Sequence, residues 1–203
     1  MTIYDLKKNF QNLLRPLSNA LAGSGVTANQ VTVSALLLSC ACGGYIYFSG
    51  ASRPSLLLVP LVLFLRMALN AIDGMLAREH NMCSSLGAVL NELGDVISDV
   101  VLYLPFVMIP GVPPEAVVVA VILAIFSEMT GVIAVQIGGT RRYDGPMGKS
   151  DRAFWFSCLA ILVGVGVPVW MWLAGVLWVI IALLCLTIIN RARRALAEVA
   201  AVR

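Results

Sequence analysis

After residue 30 the chain passes through one apolar stretch after another, each close to the roughly 20 helical residues needed to cross a ~30 Å hydrocarbon layer. The pattern predicts an all-α, polytopic membrane protein with six transmembrane helices, at about Val31–Phe48, Ser55–Ala77, Ser84–Val107, Pro114–Ile137, Phe154–Val169 and Trp170–Asn190. Only Gly164, Gly166 and Pro168 mark the boundary between the last two. If they were one long span, there would be five crossings and the termini would lie on opposite sides. Ahead of the first span, Ile3, Leu6, Phe10, Leu13, Leu14, Leu17 and Leu21 recur at helical spacing, with Lys7, Lys8, Gln11 and Arg15 on the other faces. This predicts an N-terminal amphipathic helix on the membrane surface, bent at Pro16. The expected organisation is a single membrane domain over 1–203: an interfacial helix at 3–21, a six-helix bundle at 31–190 and a cytoplasmic tail at 191–203.

Composition agrees with this pattern. The chain has 203 residues, 60% hydrophobic and 12% charged, and its mean hydropathy is +0.90. One soluble core cannot hide that much apolar surface. Charge then chooses between five and six spans. With six, Lys7, Lys8, Arg15, Arg78, Arg141, Arg142, Lys149, Arg152, Arg191, Arg193, Arg194 and Arg203 fall on one side and only Arg53 on the other. By the positive-inside rule both termini are cytoplasmic, in a membrane expected to be the bacterial inner membrane. The net charge of +3 speaks of orientation, and no nucleic-acid partner is expected. The N-terminus opens with charged and amphipathic residues, so no cleavable signal peptide is expected. Of the five cysteines, four lie inside apolar runs, where cysteine acts as a small hydrophobe.

Ionisable groups inside spans cost at least ~2.5 kcal/mol each on insertion scales and so face the bundle interior. Here they cluster. The second span carries Arg66, Asn70 and Asp73 and ends near Arg78; the third carries Asn91, Glu92, Asp95 and Asp99; the fourth carries Glu128. Asn70 and Asp73 share one face, and Gly87, Asn91, Asp95 and Asp99 follow at intervals of four down one stripe. A short connection makes the two helices antiparallel neighbours, so the stripes converge in a pocket open to the cytoplasm. Oxygen ligands without His or Cys suit Mg²⁺, Mn²⁺ or Ca²⁺ bound together with substrate phosphates. The structural alternative is a hydrogen-bond network that only holds helices together. Arg66 at mid-membrane also needs a partner, which Asp99 or Glu128 would supply.

Residues 70 to 95 read N-x-x-D-G-x-x-A-R-x8-G-x3-N-x3-D. This resembles the signature of the CDP-alcohol phosphotransferase family, D-x-x-D-G-x-x-A-R-x8-G-x3-D-x3-D, with every spacing kept. Asp73, Gly74, Ala77, Arg78, Gly87 and Asp95 match outright; Asn70 and Asn91 stand where the family has its first and third aspartates. The segments Ala28-Asn29-Gln30-Val31-Thr32 and Gly148-Lys149-Ser150-Asp151-Arg152 are similar to further elements of the family. The resemblance covers nearly the whole chain, and the family has six spans and an N-terminal surface helix.

The resemblance implies transfer of a phosphatidyl or related substituted phosphoryl group from a CDP-linked donor to an alcohol, with release of CMP. Asp73, Asp95, Asn70 and Asn91 would be the metal ligands, for Mg²⁺ or Mn²⁺, and Asp95 the catalytic base. Asn29, Thr32, Gly74, Ala77, Arg78 and Gly87 would hold the donor nucleotide and diphosphate. The basic cluster of Arg141, Arg142, Lys149 and Arg152 would suit a phosphorylated acceptor or a donor headgroup, unless it only sets topology. With two aspartates replaced by amides, one tightly held ion is expected before substrate arrives, and Asp99 could supply a replacement carboxylate. The family commonly forms homodimers. Two other readings remain: a pseudoenzyme that binds a nucleotide-linked lipid as a regulatory partner, motivated by the two asparagines, and a transporter. The transporter would need polar residues across the whole membrane, yet beyond Asp99 and Glu128 the spans are almost wholly apolar. The acceptor's identity is not written in the pattern.

Overall fold

A computed structural model describes residues 3–169 and 171–202, with side chains from residue 9 to residue 201. The side chains of Ile3, Leu6, Lys7 and Lys8, the start of a span at Trp170, and Arg203 lie outside the described residues. The described chain is helical throughout: α1 (Ile3–Gly23), α2 (Ala28–Phe48), α3 (Arg53–Glu79), α4 (Ser85–Tyr103), a 3₁₀ turn (Leu104–Met108), α5 (Pro114–Gln136), α6 (Lys149–Gly164) and α7 (Met171–Val202).

Local chemistry explains the element ends. Thr27 starts α2 with a capping box: its hydroxyl accepts from the Gln30 amide, and the Gln30 side chain accepts from the Thr27 amide. Ser84 caps α4 by accepting from the Gly87 amide at 2.9 Å. The third apolar run does not continue as one helix to Val107, as its pattern predicts. It stops at Tyr103 and tightens into the 3₁₀ turn, because Pro105 lacks an N–H and its ring blocks the preceding turn of α-helix. The fifth predicted span, α6, starts at Lys149 instead of Phe154, where Asp151 accepts from the Gly148 amide at 2.9 Å. It ends at Gly164, and Gly166 follows with φ +97°. The last two apolar runs are therefore separate helices.

At the C-terminus the last helix runs on past the predicted span. The expected tail, 191–203, is a continuation of α7 through Val202, giving a helix of 32 residues and about 48 Å. Its alanine-rich sequence favours helix, and ion pairs described below dock it onto the loop after α5.

Four helices are long and apolar enough to cross a membrane: α2, α3, α5 and α7. Of the other two predicted spans, α4 carries Glu92, Asp95 and Asp99, and α6 has 16 residues. Large apolar side chains such as Leu37 (63% exposed) and Phe48 (88%) point outward, as lipid solvation requires. The chain is an integral membrane protein.

α3 packs on α2, α6 and α1, while α7 packs on α5 and α4 on α2. The main core gathers Ile46, Leu56, Leu102, Phe106, Leu177 and Leu184, with the Tyr103 and Phe156 rings stacked at 4.0 Å. A smaller cluster joins Val31, Ile72, Met75 and Leu76 to Leu14 and Leu21 of α1, which fixes α1 against the end of the bundle that holds the polar site. Leu13 and Leu17 of the same helix remain exposed. Helices α2 and α4 approach so closely that a Cβ on Gly43 would lie 2.0 Å from the Val101 carbonyl oxygen. That approach places Thr32 of α2 beside the acidic stripe.

Candidate active site

The hairpin of α3 and α4 brings the two polar stripes together. Asn70 donates from Nδ2 to Asp95 Oδ1 at 3.1 Å. Asp73, one turn along α3 from Asn70, is buried and accepts from Thr32 Oγ1 at 2.8 Å. Arg66 donates from Nη2 to Asp95 Oδ1 at 3.2 Å and from Nη1 to Asp99 Oδ1 at 2.7 Å. The Lys149 ammonium also lies against Asp95 Oδ1. Three donors thus share one oxygen of Asp95, while its other oxygen accepts from no described side chain. Of the two partners expected for Arg66, the geometry uses Asp99.

Among the described residues no three His, Cys, Asp or Glu side chains gather into a metal cage. Apart from Asp99, which Arg66 and Arg152 hold, the donors along the two stripes are two carboxylates and two amides. Asp73 Oδ1, Asn70 Oδ1 and Asp95 Oδ2 accept no side-chain hydrogen bond from the described residues, so these are the oxygens that could turn to a ligand. Such a set fits a divalent ion completed by substrate phosphate or water, and not an all-protein cage.

Beside this set lies a cavity of about 320 Å³, lined in part by Asn91, Glu92, Asp95, Arg141, Lys149 and Arg191. Arg141 clasps both oxygens of Glu92, from Nε and Nη2, each at 2.9 Å, and reaches Glu128 Oε2 at 2.9 Å. Burial would lower its pKa, but the hydrogen bonds from Glu92 and Glu128 outweigh this and hold the guanidinium charged. Gly131 makes room for it: a Cβ there would meet Arg141 Nη1 at 1.9 Å. Arg152, 1% exposed, lies beneath, donating to Asp99 at 2.8 and 3.0 Å and to Glu128 Oε1 at 2.9 Å.

The basic residues of the sequence pattern therefore do not form one patch. Lys149 and Arg141 face the cavity, Arg152 is enclosed below it, and Arg142 turns to Asp144 at 2.8 Å and to Glu198 at 3.1 Å. Arg191, read from sequence only as a topology signal, joins the cavity wall and donates to the Ser127 and Asp144 carbonyls. Asp144 was not singled out either; it holds Arg142 and Arg194, at 2.8 and 2.6 Å. Burial would raise its carboxyl, but the Arg142 hydrogen bond and the charges of Arg142 and Arg194 hold it below the ordinary carboxylate range.

Where the N-terminal ends of α2 and α4 meet, Asn29 donates to Ser84 Oγ at 3.4 Å, and a Cβ on Gly87 would meet Asn29 Oδ1 at 2.7 Å. Arg78 is exposed and folds back over Gly74, where a Cβ would lie 2.9 Å from its Nη2. A side chain at 87 would push the Asn29 amide aside, whereas one at 74 would meet only the flexible end of Arg78. Ala77, one turn before the hairpin, is partly buried.

The fold and the site together define a helical membrane protein whose paired acidic stripes meet at an open, highly charged cavity. Residues 25–181 match the sequence profile of the CDP-alcohol phosphatidyltransferase family, and the chain belongs to that family. It is 48% identical to the inner membrane protein YnbA of Escherichia coli K12 over 198 residues, 97% of each chain. Its fold is similar to that of Mycobacterium tuberculosis phosphatidylinositol phosphate synthase (PgsA1) crystallised with CDP-DAG bound. There the TM-score is 0.74 at 20% identity, covering 91% of this chain and 92% of that one. The same synthase in complex with manganese and citrate gives a TM-score of 0.74 at 20% identity, over 89% and 87% of the two chains.

Proposed function

We propose that this protein transfers a phosphatidyl or related substituted phosphoryl group from a CDP-linked lipid, foremost CDP-diacylglycerol, to an alcohol in phospholipid biosynthesis. The acceptor oxygen forms the new bond to phosphorus, the bond to the CMP oxygen breaks, and CMP leaves. The observation that carries this reading is the pairing of the Asn70/Asp73 stripe of α3 with the Asn91/Asp95 stripe of antiparallel α4, at family spacing, with Asp95 and Asn91 on the wall of an open cavity. Asp95 Oδ2, free of side-chain partners, takes the proton of the attacking hydroxyl. Asp73, Asn70, Asn91 and Asp95 would hold a Mg²⁺ or Mn²⁺ ion, which when bound neutralises the donor's diphosphate. Thr32 orients Asp73, and Asn29, Gly74, Ala77, Arg78 and Gly87 line the approach of the nucleotide and diphosphate. Manganese with citrate in the structurally similar synthase supports the metal reading, and its CDP-DAG complex supports the donor.

All six apolar helices cross the bilayer in this reading, including α4 and α6, and α1 lies along the surface. The termini and the cavity face the cytoplasm, in the inner membrane, as the name of the E. coli relative suggests. The test is release of CMP from CDP-diacylglycerol by purified protein with Mg²⁺ or Mn²⁺ across a panel of alcohols. CMP release that disappears in Asp95→Asn supports the enzyme. No release by the natural sequence, with release restored by Asn70→Asp and Asn91→Asp together, would show a protein that binds but does not turn over its lipid.

A further inference from the structure

Resting on that reading of the site, we propose that the acceptor carries no phosphate: it is a neutral or amine-bearing alcohol, and Glu92 is the residue that excludes phosphorylated acceptors. A phosphomonoester is recognised best by guanidinium forks with free N–H groups and an excess of positive charge. The forks around this cavity are already engaged, that of Arg191 through Nε and Nη1 on the Asp144 and Ser127 carbonyls. Arg141 spends Nε and Nη2 on Glu92 and Glu128, and Nη1 donates to the Arg142 carbonyl at 2.8 Å. Arg152 is enclosed, with Nε and Nη2 on Asp99 and Glu128 and Nη1 on Ser127 Oγ at 3.3 Å. Arg142 and Arg194 face Asp144, away from the cavity.

The wall brings no surplus of free positive charge. Glu92, Asp95, Glu128 and Asp151 face Arg141, Lys149 and Arg191. The Lys149 ammonium is on Asp95, and Arg191 Nη1 lies 3.4 Å from Glu128. A divalent ion at Asp95 would offset the extra carboxylate, so the exclusion rests on Glu92: a phosphate dianion would have to displace it from its two-point clasp with Arg141. A hydroxyl or an ammonium group meets no such conflict. The Glu92 side chain is 35% exposed, and Asn91 and Ser150 stand beside it with further hydrogen-bonding groups.

The experiment is calorimetric titration of the purified full-length protein with sn-glycerol 3-phosphate and with inorganic phosphate. The natural sequence should show no saturable binding at millimolar concentration. Glu92→Gln, which keeps the shape but releases Arg141, should gain phosphate binding by about tenfold or more, the scale of one charge-assisted contact. Glu92→Ala should do the same, with thermal unfolding confirming that both variants are folded. Saturable binding of glycerol 3-phosphate by the natural sequence, or no gain in either folded variant, would overturn the proposal. In the CMP assay, glycerol or ethanolamine should outperform glycerol 3-phosphate, and the reverse order would also overturn it. If no alcohol releases CMP, the transferase reading fails, while the phosphate titration still decides whether Glu92 excludes phosphate.

Discussion

Asp95 has two chemically different oxygens, and that difference sets the expectations at the scale of single residues. Oδ1 receives Lys149, Arg66 and Asn70, which fix the carboxylate, while Oδ2 is left for a proton or a ligand. Asp95→Asn should lower CMP release by about 10²- to 10⁴-fold, the usual weight of a general base, with little change in melting temperature. Because Oδ1 is already crowded by cationic donors and two family aspartates are amides here, Mn²⁺ titration followed by electron paramagnetic resonance should find one ion per chain. Asn70→Asp with Asn91→Asp should admit a second. Thr32→Val, which removes the 2.8 Å bond to Asp73, should weaken Mn²⁺ binding by about 10- to 100-fold, as loss of an outer partner of a metal ligand does. The acidic stripe was legible in the sequence because helical spacing alone puts Asn70 with Asp73 and Asn91 with Asp95 on shared faces. The partners of Arg141 were not, because Glu92 lies 49 residues away and no periodicity links them. Arg191 was hidden for a different reason: an arginine at the end of an apolar run looks the same whether it marks topology or fills a site.

Between elements, buried charge replaces much of the apolar packing near the site. Arg152 joins α4 through Asp99 and α5 through Glu128, so one side chain of α6 ties three helices. Arg152→Met takes one buried cation from Asp99, which keeps Arg66, and one from Glu128, which keeps Arg141 and Arg191; it should cost up to about 3 kcal/mol, read as a fall in melting temperature of the solubilised protein. The loop after α5 is held to α7 by Arg142, Asp144, Arg194 and Glu198. Since the folded carboxyl of Asp144 lies below its ordinary value, its ion pairs contribute fully above about pH 4 and are lost as the pH falls through the lower, folded value. Helix existence was readable from the apolar runs, and so was the α3–α4 hairpin. Helix ends were not: Pro105 and Asp151 shift two of them by local hydrogen bonding. The continuation of α7 depends on ion pairs to a loop some 50 residues earlier, which no local pattern reports.

At the scale of the whole molecule, the proposed reading needs α4 and α6 to cross the bilayer although each is less apolar or shorter than the other four helices. Helix α4 can do so only if its charged stripe faces the bundle, and its ion pairs to α3, to α6 and to Arg141 in the loop after α5 provide that shelter. Helix α6, at 16 residues, spans about 24 Å and depends on its neighbours and the flanking loop to fill the rest of the layer. Cysteine accessibility separates six crossings from fewer. Cys83 is exposed in the hairpin between α3 and α4; with the other four cysteines changed to alanine it becomes a single reporter. In the proposed orientation the hairpin is cytoplasmic, and a membrane-impermeant maleimide should then label it in inverted vesicles and not in intact spheroplasts. Pro110→Cys, after the 3₁₀ turn, should show the opposite pattern if α4 crosses. Thr140→Cys should behave as Cys83 does, and Val167→Cys as Pro110→Cys does if α6 crosses. Labelling of Cys83 and Pro110→Cys from the same side would remove α4 from the set of spanning helices. It would also move the acidic stripe out of the bilayer, and with it the lipid-facing access that a membrane-bound donor requires.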